Sequence, residues 1–123
     1  MTNIDINKVI EAEQGADIDK AARAHEIGGW SKDSASQLAK DEGIELADAH
    51  WKVIELLRSI YVERGRAPNA RYLAGLLNDA FAAQGGSKYL YLLFPGGPVS
   101  QGSRLAGVPA PHDARDLSFG SSF

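Results

Sequence analysis

No cysteine occurs among the 123 residues, and methionine appears only once. A disulfide framework and a thiolate zinc site are therefore excluded. Long apolar runs are also missing, and none approaches the ~20 residues that a membrane-spanning helix needs. The opening Met1-Thr2-Asn3-Ile4-Asp5 has neither a basic segment nor an apolar stretch of the secretory kind. A cytoplasmic location without membrane association is the expectation. The three histidines, His25, His50 and His112, are too scattered for a metal site, so neither metal nor cofactor is expected.

What is present fits one small domain, with 44% apolar and 24% charged residues and a net charge of −3. The charge is uneven. Residues 1–50 hold five Lys/Arg against eleven Asp/Glu, whereas residues 51–104 hold seven against three. An ordinary solvated surface accounts for this. A basic face in the C-terminal half, made for an acidic partner or a phosphate backbone, is the sharper reading.

Apolar spacing predicts a mainly α chain, a small orthogonal bundle of five or six short helices. Residues 1–29 are the least legible. Ile4-Asp5-Ile6 alternates like a strand, while Asp19 to His25 reads as helix. From Trp30 the pattern sharpens. Ser31 suits an N-cap, Ala35, Leu38 and Ala39 share a face, and Gly43 stops the helix. Trp51, Ile54, Leu57 and Tyr61 recur at helical spacing up to Gly65. Pro68 and Asn69 open a third helix through Leu73 and Leu77, and a short aromatic helix from Lys88 to Phe94 ends at Pro95. The corner between Trp51 and Leu77 has a helix-turn-helix outline, with Arg64, Arg66 and Arg71 placed for phosphate contacts. A base-reading helix with Arg71 as its only basic side chain is a poor groove reader, so nucleic-acid binding ranks second. His50 has no nucleophile beside it and is expected to cap a helix or bond within the core.

The run KYLY-LFP-GP, followed by Gly102, Ala106-Gly107, Pro109 and Pro111, resembles the C-terminal region of the DsrC/TusE family of sulfur-relay proteins. Glu42-Gly43-Ile44, His50-Trp51, Val53-Ile54, Leu57-Arg58, Ala67-Pro68 and Arg71 extend the resemblance upstream. It implies an N-terminal β-hairpin within residues 1–29, while the small, Gly- and Pro-spaced residues of 95–111 read as a flexible C-terminal arm. Residues 1–111 then form one domain, and residues 112–123 are a mobile tail. It also implies sulfur carried on cysteines of the arm. Counted along the motif, those cysteines fall on Ser103 and Ala114.

A serine hydroxyl cannot form a persulfide and alanine offers no nucleophile. The expectation is therefore a protein that is not an enzyme and has no catalytic residue. It would be a regulatory or partner-binding member of a sulfur-relay or sulfite-reductase system. Tyr89, Tyr91, Phe94, Ser103 and Arg104 are the expected partner-binding residues, and a TusBCD-like sulfurtransferase or a sulfite-reductase-like protein is the expected partner. A nucleic-acid-binding regulator and a cysteine-substituted sulfur carrier are the alternatives.

Overall fold

The structure is a computed structural model that describes residues 18–114. Residues 18–26 are helical (α1) and are followed by α2 (Lys32–Asp41), α3 (Asp48–Arg64) and α4 (Ala70–Ala80). A single 3-10 turn (Ala82–Gln84) leads into α5 (Ser87–Leu93) and α6 (Ser100–Ala106). No strand occurs among the described residues. The hairpin expected in residues 1–29 falls largely outside them, and its last part, from residue 18, is helix.

Local chemistry sets the boundaries. Ser31 and Ser34 form a reciprocal capping box at the start of α2, at 3.0 and 3.1 Å. At its end the Ile44 N–H reaches back to the Ala39 carbonyl at 2.8 Å, and the Gly43 N–H to that of Lys40 at 3.1 Å. These two hydrogen bonds form a Schellman motif, and the helix stops at Gly43 as expected. Asn69 caps α4 by accepting from the Tyr72 N–H at 2.8 Å. α3 is capped by a histidine in its own first turn, and the cap of α5 comes from another helix. The Ala47 N–H donates to His50 Nδ1 at 3.0 Å, and Asn78 on α4 accepts the Ser87 N–H at 2.8 Å.

α3 is the axis of the core. His50, Val53, Ile54, Leu57 and Tyr61 are buried along it. Of these, Val53, Ile54 and Leu57 make one cluster with Leu77, Leu90, Phe94 and Leu105. Each large apolar side chain here contributes about 1.5–3 kcal/mol. At the far end of α3, Arg23 of α1 donates through Nε to the Val62 carbonyl at 2.9 Å, satisfying part of the helix's C-terminus.

The main correction concerns residues 95–111. The expected flexible arm is a buried helix followed by a docked segment. Ser103, Leu105 and Ala106 are fully buried, and α6 packs on α3 and α2. Small residues that read as a mobile arm instead allow close approach: a Cβ on Gly102 would lie 2.9 Å from Leu57 Cδ1. The segment after α6 is also tied down. Arg66 Nε donates to the Ala110 carbonyl at 2.7 Å, and Asp113 accepts from the Ala70 N–H at 2.7 Å. The mobile tail expected from residue 112 is thus anchored as far as Ala114, and its remainder lies outside the described residues.

Candidate functional site around the last two helices

α6 is held by side chains from α3 and from the two ends of α2. Glu42, at the end of α2, receives Arg104 through two contacts, Nε to Oε2 at 3.0 Å and Nη2 to Oε1 at 2.6 Å. Gln101 Nε2 donates to the same Oε1 at 2.9 Å, while its own Oε1 accepts the Gly96 N–H at 2.9 Å. The Glu42 side chain is 19% exposed and that of Arg104 35%, so the ion pair is partly shielded from water.

The other end of α6 is capped by aromatic and guanidinium groups. Trp30 Nε1 donates to the Leu105 carbonyl at 2.8 Å, and Arg58 Nη1 to that of Ala106 at 2.8 Å. Arg58 also donates to the Ile27 carbonyl at 2.9 Å and lies 4.1 Å over the Trp30 ring. Burial pulls its guanidinium below the usual value, yet five donors and two carbonyl partners suit a cation. Gly107 ends the helix in the left-handed region, φ 68°, and a Cβ there would lie 2.6 Å from Trp30 Cδ1. Only glycine meets both demands.

Ser103 sits on the inner face of this helix. It has no exposed surface, and its Oγ has no hydrogen-bond partner among the described residues. Ala114 is half-buried. It lines a surface hollow of about 240 Å³ with Ser100, Arg104, Val108 and Ala110. The two positions expected to match the family's cysteines therefore differ, one sealed inside the bundle and one at a hollow beside α6.

The expected docking residues divide in the same way. Phe94 is fully buried, with its ring 5.3 Å from that of His50 in an edge-on contact. Phe94 and Ser103 have no surface to offer a partner in this structure, because both complete the core. Tyr89 is half-buried against Phe81, 6.3 Å between ring centroids. Tyr91 is 48% exposed and Leu92 76%. His50 takes the structural role expected of it. Its Nδ1 accepts from Ala47, which leaves the proton on Nε2 for the Leu93 carbonyl at 2.9 Å.

The helix-turn-helix corner is formed by α3 and α4, but two of its arginines are engaged within the chain. Arg64 donates to the Tyr72 hydroxyl at 2.8 Å, and Arg66 is bound to Ala110 as described. Arg71 is exposed. No group of His, Asp or Glu able to hold a metal ion occurs among the described residues. None of the described helices is long and apolar enough to cross a membrane.

Sequence reasoning missed Glu42 as the partner of Arg104, and Trp30 with Arg58 as the clamp on α6. Glu42 and Arg58 stand in the motif, but their partners lie 62 and 48 residues away. No local pattern carries that information.

These features define a small helical bundle closed by its own C-terminal helix, with the sulfur-relay motif at the closure. A family model described as DsrC like protein matches residues 11–114. The chain is 40% identical over 83 residues to Sulfurtransferase TusE of Escherichia coli strain K12, covering 67% of this chain and 76% of that protein. The NMR structure of Allochromatium vinosum DsrC is similar with a TM-score of 0.59 and 39% identity, over 70% of this chain and 78% of the other. The crystal structure of the oxidized gamma-subunit of the dissimilatory sulfite reductase (DsrC) of Archaeoglobus fulgidus gives a TM-score of 0.56 and 35% identity, over 70% and 80%. The chain belongs to the DsrC/TusE family. Relatives named sulfurtransferases overturn the expectation that this chain is not an enzyme, because the missing thiols alone do not set it apart from a sulfur-transfer family.

Proposed function

We propose that this chain is a regulatory, partner-binding member of a cytoplasmic sulfur relay. It docks on a sulfurtransferase or sulfite-reductase-like protein and competes there with cysteine-bearing relatives. The observation that carries this reading is the α5–α6 closure around a buried Ser103. The Glu42–Arg104–Gln101 cluster and the Trp30–Arg58 clamp hold the framework together at the position where the family motif expects a cysteine. Such a framework retains a docking surface whether or not position 103 bears sulfur. The exposed Tyr91 and Leu92 lie on that surface.

Direct titration of the purified chain into a TusBCD-like sulfurtransferase complex tests the reading. Saturable 1:1 binding at micromolar or lower concentrations is the expected result. An absence of binding to this complex, and to a sulfite-reductase-like partner, would remove the basis of the proposal.

A further inference from the structure

We infer that the outer face of α5 is a preformed docking ridge for an apolar cleft rimmed by carboxylates on the partner protein. The inference rests on the partner-binding role proposed above and assigns it a surface and a complementary chemistry. Lys88, Tyr91, Leu92 and Pro95 are all exposed. Lys88, Tyr91 and Leu92, spaced by three and four, lie along one side of the helix, and Pro95 follows its non-helical C-cap Phe94. Leu92 is 76% exposed and Tyr91 48%, two large apolar side chains side by side at the surface. Scattered single apolar residues are ordinary, whereas an exposed apolar pair at the i+3 and i+4 positions from Lys88 fits part of the spacing by which a helix lies in a groove.

The charge pattern selects the partner's chemistry. Between Asp79 and Arg104 the only charged residue is Lys88. The ridge therefore carries one cation one turn ahead of the apolar pair and no anion. Its complement is an apolar cleft with acidic side chains beside the Lys88 end.

The ridge is also held rigid before any partner arrives. At the start of α5 the Ser87 N–H and hydroxyl both donate to Asn78 Oδ1, at 2.8 and 3.1 Å. At its end His50 holds the Leu93 carbonyl, Phe94 is sunk into the core, and Pro95 blocks further helix. Fixed ends reduce the ordering entropy lost on binding.

The test uses the full chain and the same purified TusBCD-like complex. Leu92→Asp is expected to weaken binding at least about tenfold, as the loss of a central apolar anchor does. Lys88→Glu is expected to weaken it about fivefold or more at low salt, with the difference shrinking as ionic strength rises. Arg71→Glu, an equal charge change on α4, should leave binding within about twofold. All three positions are exposed, so unchanged thermal unfolding verifies the fold. Wild-type binding that Leu92→Asp and Lys88→Glu leave intact overturns the ridge while the partner role stands. Wild-type chain that fails to bind overturns the partner role itself. A Lys88→Glu chain that binds more tightly would overturn the acidic rim.

Discussion

Replacing Ser103 with alanine should stabilise the protein, although the site is fully buried. Truncating a buried side chain ordinarily destabilises. Here the atom removed is a hydroxyl without a partner among the described residues. Burying an unsatisfied hydroxyl costs about 1–3 kcal/mol. Alanine is also about 0.5 kcal/mol better than serine inside a helix. Against these gains stands the void left by one oxygen, of order 10 Å³, which at ~24 cal/mol per Å³ costs only about 0.2–0.3 kcal/mol. The net is a gain of about 1–3 kcal/mol, at about 4–8 °C in Tm per kcal/mol for a domain of roughly a hundred residues. Calorimetric and circular-dichroism melts of Ser103→Ala beside wild type measure it. A Tm lower than wild type would mean that the hydroxyl is bonded in the native protein, for example back to the Val99 carbonyl, and would refute the reasoning. Ser103→Cys extends the same argument, since a thiol is inexpensive to bury. That variant should fold, and its thiol should react with a disulfide reagent far more slowly in native protein than in denaturant.

Three other perturbations probe the closure and the α1–α3 contact. Gly107→Ala forces a side chain into a left-handed turn and onto Trp30, so a loss of about 2 kcal/mol or more is expected in denaturant titrations. Glu42→Gln leaves Arg104 and Gln101 facing a neutral amide, and chemical unfolding should report about 1–3 kcal/mol less stability. Tyr61 donates its hydroxyl to Glu26, and that bond with burial raises the phenol above its ordinary value of 10.0. Its proton is thus held more tightly in the folded chain than in the unfolded one. The stability it contributes is complete below about pH 10 and declines as pH climbs through the folded value. Tyr61→Phe should flatten that alkaline decline in pH-dependent melts.

How far the fold could be read from the sequence depended on how local its causes are. Ser31, Gly43, Asn69 and the α3 stripe act within one or two turns, and their roles in the structure follow from spacing. The C-terminal stretch was misread because composition and environment pull in opposite directions. Gly102, Ser103 and Ala106 look like a mobile arm in isolation, yet the same small side chains let a helix press onto Leu57. Partners that stabilise that helix come from Trp30, Glu42 and Arg58, far away in the chain. Tyr91 and Phe94, three residues apart, read alike in the sequence. His50 draws one of them into the core, and the other faces solvent.

The central claim is competition on a partner's docking surface. Its most direct test supplies a sulfur-loaded TusBCD-like complex to a cysteine-bearing relative and follows persulfide on that relative by mass spectrometry, while the present chain is titrated in. The account predicts that the rate falls in a saturable way as the chain is added, and that the Leu92→Asp chain is much less effective. A transfer rate unchanged at chain concentrations far above those of the relative would contradict it.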